Sequence, residues 1–160
     1  MTQSLNISVD TADRLADMVI GCRVDRPAAV IAAATNLFTV AGGNIILTAF
    51  YGEIMVAIDA VNALTLTYDA DEAAALDTVL GSVSEALNTF VAGRMFYLPT
   101  LAGALTVTAA CGACPIDIAP HWMLPPGHFD LTSTGTTTLG TIRWSLWYVP
   151  VDPGAYVYAT

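Results

Sequence analysis

Lysine is absent from this chain. Its only cations are five arginines, Arg14, Arg23, Arg26, Arg94 and Arg143, set against fourteen acids for a net charge of −9. Phosphate contacts need lysine and arginine, so this balance argues against nucleic acid as a direct partner. It suits solubility by like-charge repulsion, or docking on a basic protein surface. Charge of either sign is scarce: 12% of residues are charged, against about 25% in typical soluble domains. Long apolar runs are missing too. The longest, residues 45–51 and 54–58, are parted by Gly52 and Glu53 and fall short of the ~18–20 residues a spanning helix needs. Asp10, Asp13 and Asp17 stand where a secretory leader would carry a basic start and an apolar stretch, so no signal peptide is expected. Cysteine is few and odd in number: Cys22, Cys111 and Cys114 read as reduced thiols rather than a disulfide framework.

What is present is apolar. Hydrophobic residues make up 55% of 160, and the mean hydropathy is +0.61. One domain of this length buries roughly 70% of its unfolded surface. So apolar a chain without a membrane span points to a subunit that buries surface twice, in its core and in an oligomer interface. We expect a possible N-terminal arm over residues 1–17 and a single β-rich domain over residues 18–160.

The clearest strand is near the C-terminus. Ile142, Trp144, Leu146 and Tyr148 alternate with Arg143, Ser145, Trp147 and Val149, the period-two pattern of a sheet. Pro150 ends it, Asp152-Pro153-Gly154 supplies a turn, and residues 155–159 run back as a short strand. Leu37 to Val40, Gly42-Gly43-Asn44 and residues 45–58 read as a second hairpin. Its long strand is apolar on both faces. Ile46, Phe50, Ile54, Val56 and Ile58 fall on one, and Ile45, Leu47, Tyr51 and Met55 on the other. Gly52 suggests a bulge or a close approach. Further strands are expected at residues 18–24, ended by Asp25-Arg26-Pro27, and at 63–68, 94–98 and 104–109. Residues 28–35 read as a short helix or a small-residue strand. Leu76, Val79, Leu80, Val83 and Leu87 recur at helical spacing over residues 73–87; two short strands, 75–80 and 89–98, are the alternative. The fold class is mainly β: an antiparallel sandwich or barrel of short strands, with at most one helix, in an oligomer.

Candidate chemistry is thin. Cys111-Gly112-Ala113-Cys114 has C-x-x-C spacing without the βαβ surroundings of a redox pair. With His121 and His128 it forms the one metal constellation, at a spacing that matches no common zinc finger; ordinary thiols and loop histidines are the expectation. Cys22 reads as a small core residue. Glu53 is a lone acid in an apolar strand, either paired with an arginine, part of a subunit contact, or exposed at a bulge. Asp69, Asp71 and Glu72 lack the glycine and bidentate glutamate of a calcium loop. Residues 132–138 read as a plain connection or a glycan-facing loop. Trp144 and Trp147 read as core or interface rather than a sugar platform. No nucleophile–base pair, phosphate loop or paired-carboxylate signature is present. No enzyme activity, catalytic residue, cofactor or metal is expected. Ile46, Phe50, Ile54, Trp144, Trp147 and Tyr148 are the expected interface or core residues.

Gly140, Ile142, Trp144, Leu146, Tyr148, Val149, Pro150, Asp152, Gly154, Ala155 and Val157 form a Gly-x-Ile-x-Trp-x-Leu-x-Tyr-Val-Pro-x-Asp-x-Gly-Ala-x-Val pattern. It resembles the C-terminal end of a set of small tailed-bacteriophage virion proteins. Gly42-Gly43-Asn44-Ile45 followed by Tyr51-Gly52-Glu53 is similar to a middle segment of the same proteins. The resemblance covers about a third of the chain and implies a virion structural protein. The expected role is capsid decoration or cement on the head exterior, as a trimer, with the chain itself and the major capsid protein as partners and no membrane. A tail or head appendage that binds a host receptor or glycan is the alternative. The location implied is the virion, after synthesis in the host cytoplasm. The C-x-x-C and the Pro-rich loop lie outside the pattern.

Overall fold

The computed structural model describes residues 21–59, 63–72, 77–83, 87, 90–98, 103–104, 106–107, 122–134 and 139–160. The expected arm, Cys111, Cys114 and His121 lie outside these residues, as do 73–76, 84–86 and 135–138.

Among the described residues, twelve strands form two sheets that face each other. The first sheet contains β1 (Cys22–Val30), β11 (Thr141–Pro150), β3 (Ile45–Val56), β6 (Met95–Tyr97) and β8 (Thr106–Val107) in that order, with β9 (Trp122–Leu124) also paired to β3. The second runs β12 (Tyr156–Ala159), β2 (Ala34–Ala41), β10 (Gly127–Ser133), β4 (Leu64–Ala70), β5 (Thr78–Val83) and β7 (Gly103–Ala104). Every pairing is antiparallel except β5 with β7. The two four-strand blocks, β1-β11-β3-β6 and β2-β10-β4-β5, have the strand order of a jelly roll. The chain is therefore a sandwich and not a closed barrel.

The core lies between the sheets. Phe50 of the first sheet meets Phe38 and Phe129 of the second, at 6.1 and 5.9 Å between ring centroids, and Trp144 beside it at 5.4 Å. Phe96 stacks on Trp144, and Tyr68 closes edge-on against Phe129. Such offset and T-shaped contacts suit the ring quadrupole. Leu37, Ile45, Ile54, Leu64, Leu66, Leu80 and Leu146 fill the remainder, each at most 1% exposed.

Four expectations change. Neither glycine turn makes a hairpin. β2 and β12 belong to the second sheet, and β3 and β11 to the first, so each turn carries the chain across the core. A tight reversal needs only the turn residues; which sheet receives the next strand depends on where its apolar face finds cover.

Residues 78–83 form a strand, not part of a helix, and no helix of an α type occurs among the described residues. The register against β4 shifts between Leu66 and Thr67, leaving Leu80 as an extra residue. That bulge buries Leu80 and Val83, three apart, on the same side, which imitates helical spacing. Val79 of the supposed helix stripe is 52% exposed.

The inward phase of β3 flips at Thr48, the extra residue where the register shifts between the pairs Leu47–Tyr148 and Ala49–Trp147. Ile45 and Leu47 point inward before it, Phe50, Gly52 and Ile54 after it. Ile46 therefore lies on the face opposite Phe50 and Ile54, Val56 is 46% exposed, and the strand is not buried on both faces.

Finally, β1 continues through Pro27 to Val30. A one-residue shift between Arg26 and Ala29 places the proline in a bulge at the sheet edge, where a missing N–H costs no ladder bond.

Candidate functional site

Two segments far apart in sequence meet at one end of the sandwich. The Asp152 carboxylate accepts from the backbone N–H and the side-chain amide of Asn44, both at 2.7 Å. The backbone N–H groups of Val151 and Asp152 donate back to the Asn44 carbonyl. A Cβ on Gly42 would lie 2.2 Å from the Gly154 carbonyl oxygen, and Gly42 (φ 77°) and Gly154 (φ 90°) both hold left-handed backbone. The two crossing turns thus clasp each other.

The outer face of the first sheet is the richest surface. Of the expected residues, Phe50, Ile54, Trp144 and Tyr148 lie in the core, whereas Ile46 and Trp147 are half-buried on this outer face. Successive rows cross the strands: Val149, Ile46 and Met123; Arg23, Trp147 and Ala49; Asp25, Ser145, Tyr51 and Tyr97; Arg143, Glu53 and Met95. The Arg23 guanidinium lies 5.0 Å from the Trp147 ring centroid, and Tyr51 meets that indole edge-on at 5.5 Å. Cation–π contacts of this kind hold the indole in place. Arg23 Nε donates to Asp25 Oδ1 at 2.8 Å, and Ser145 Oγ donates to the same oxygen at 2.5 Å. Burial pushes the Asp25 carboxyl up, but these two hydrogen bonds and the charges of Arg23 and Arg143 more than reverse it, leaving it below the usual aspartate range. Arg143 donates to Glu53 across the ladder, so the lone acid is neither at a bulge nor isolated. Met123, on β9, is 64% exposed.

The outer face of the second sheet differs in chemistry. His128 Nδ1 faces the Asn36 amide nitrogen at 3.0 Å and Thr39 Oγ1 at 3.1 Å; its Nε2 lies 3.3 Å from Asp71 Oδ1. An amide nitrogen only donates, so Nδ1 accepts and the ring proton sits on Nε2, facing Asp71. Hydroxyl, imidazole and carboxylate in this order mimic an activated nucleophile, but Thr39 is buried, at 6% exposed. Asp130 lies in the same region. Burial raises its carboxyl above the usual range; His128 opposes the shift, and Asp69 and Asp77 add to it. Tyr156 and Tyr158 on β12 are about half exposed, with stacked rings 6.0 Å apart.

Asp69, Asp71 and His128 do not converge on a metal position, and no group of three such ligands does so among the described residues. Cys22 is a free, half-buried thiol packed against the core. No described helix is long and apolar enough to cross a membrane. The Arg143–Glu53 and Asn44–Asp152 contacts span 90 and 108 residues, a separation that no local sequence pattern signals. The alternation of 142–149 did mark Trp147 as facing away from Trp144. No protein-family model matches the chain, and neither a curated protein nor a solved structure is detectably similar to it.

Proposed function

We propose that this protein is a non-enzymatic structural subunit of a tailed-phage virion: a capsid decoration or cement protein that assembles with itself, as a trimer, on the head exterior and binds the major capsid protein. One observation carries the reading. The two separated segments on which the resemblance rests form a single structural unit. Their strands pair, Trp144 opposite Gly52 and Arg143 opposite Glu53, and their turns clasp through Asn44 and Asp152. A pattern that serves structure is expected to converge in space in this way. The jelly-roll order is compatible with virion proteins, although that fold hosts many functions. Docking over several capsomers would add avidity and stiffen the shell. The test is co-sedimentation of the purified protein with phage heads that lack their decoration layer. Saturable binding and raised thermal stability of the heads are expected; no binding sinks the reading.

The second reading, a receptor- or glycan-binding appendage, is favoured by the exposed Tyr156–Tyr158 stack beside the Thr39–His128 row. Stacked aromatics next to hydrogen-bonding side chains suit a sugar ring. It predicts affinity for host surface polysaccharide that Tyr158→Ala abolishes.

A further inference from the structure

We infer that the outer face of the first sheet is the surface on which a second copy of this chain docks. The inference rests on the self-assembly part of the function proposed above and on nothing else in it; a face that meets its own copy makes a two-fold contact, so this contact joins copies in pairs and is not itself the three-fold contact of a trimer.

Charge is the first argument. The chain carries −9 overall, so two copies repel unless they meet where that charge is absent. On this face two arginines, Arg23 and Arg143, balance two acids, Asp25 and Glu53, each pair bonded side by side. The opposite face sets Asp69, Asp71 and Asp130 around one imidazole, and a like face brought against it gathers carboxylates. A face that is locally neutral, with both signs on display, is complementary to a copy of itself.

Composition is the second. Protein interfaces are enriched in aromatics, methionine and arginine and depleted in aspartate and serine, and their energetic centres favour Trp, Tyr and Arg. The first sheet's outer face supplies Trp147, already oriented by Arg23 and Tyr51, and next to that row the apolar Ile46–Met123 pair. A side chain braced before binding loses little rotamer freedom on association. The second sheet's outer face supplies threonine, asparagine and three aspartates, the last a residue interfaces avoid, and its exposed aromatics, Tyr156 and Tyr158, stand apart on the edge strand β12.

The experiment is native mass by light scattering, from micromolar to hundred-micromolar protein, on the wild type and three variants. Met123→Glu and Trp147→Glu place a charge on the proposed face, and Val79→Glu places one on an exposed site of the other sheet. Met123 is 64% exposed and Val79 52%, so both variants keep the fold, and circular dichroism checks it. The expected result is a wild-type oligomer that Met123→Glu and Trp147→Glu reduce to the 16.7 kDa monomer, while Val79→Glu leaves the mass unchanged. A wild type that stays monomeric overturns the inference, as does an oligomer that Met123→Glu leaves intact. If the wild type is monomeric and Trp147→Glu instead abolishes binding to phage heads, the face belongs to the capsid protein, and the second-copy assignment falls. An oligomer broken as expected, with no affinity for heads, keeps this inference and removes the decoration role.

Discussion

The indole of Trp144 lies flat over Gly52, its register partner across the β3–β11 ladder. A Cβ built on that glycine would stand 2.4 Å from Cζ3 and 2.6 Å from Cε3 of the ring. The glycine therefore makes room for the largest fully buried side chain in the core, and its backbone is not left-handed, so the requirement is one of space. Gly52→Ala should destabilise the fold by about 1–3 kcal/mol through overpacking. Urea denaturation of Gly52→Ala, Trp144→Phe and the double variant should show non-additive losses, since the two sites touch. Additive losses would remove the contact as the cause.

The clasp between the two turns predicts an order among glycine substitutions. Gly42→Ala adds a steric clash with the Gly154 carbonyl to the strain of a left-handed residue, whereas Gly154→Ala meets nothing within 4 Å and carries backbone strain alone. Gly154→Ala should cost about 1–2 kcal/mol, and Gly42→Ala clearly more. Asp152→Ala, which leaves the Asn44 backbone N–H and amide without their carboxylate, should cost about 1.5–3 kcal/mol. Chemical denaturation of the three variants ranks them.

Tyr68 joins the core to the Pro-rich loop. Its ring packs on Phe129 and its hydroxyl donates to the Pro125 carbonyl. Burial, with the charges of Asp71 and Asp69 added, pushes the phenol well above the ordinary tyrosine range. Tyr68→Phe should cost about 1 kcal/mol for the lost hydrogen bond. Ultraviolet titration should show one tyrosine fewer among those that resist ionisation until unfolding.

Two aspartates predict opposite responses to pH. The folded-state carboxyl of Asp25 is lowered, so its stabilising contribution is present above the unfolded aspartate pKa and is lost as pH falls through the folded value. Asp25→Asn should lower the thermal midpoint at pH 7, and that deficit should fade in acid. Asp130 is raised: its charged form is a cost at neutral pH, relieved as pH falls through the folded value. Asp130→Asn should raise the midpoint at pH 7, with no gain below about pH 3. Thermal melts of both variants from pH 7 to pH 3 check the signs, and two shifts of the same sign would refute the assignment.

Period-two alternation is a local property, and so the sequence by itself determined that Ile142, Trp144, Leu146 and Tyr148 share one face of β11, with Trp147 on the other. It also determined the two reversals, because Gly42-Gly43-Asn44 and Asp152-Pro153-Gly154 bend the chain whatever surrounds them. The tertiary structure alone decided what those reversals connect. Crossing between sheets and folding back in one sheet use similar turn residues; only the cover available to β2 and β12 selects the crossing. It also decided the phase of β3, since the extra residue at Thr48 has no signature in composition and moves Ile46 to the outer face. Leu80 and Val83 kept helical spacing in the sequence and became a bulged strand because β4 offered a ladder. The paired charges of the outer face, Arg23 with Asp25 and Arg143 with Glu53, acquired their setting only when β1 and β3 closed on either side of β11.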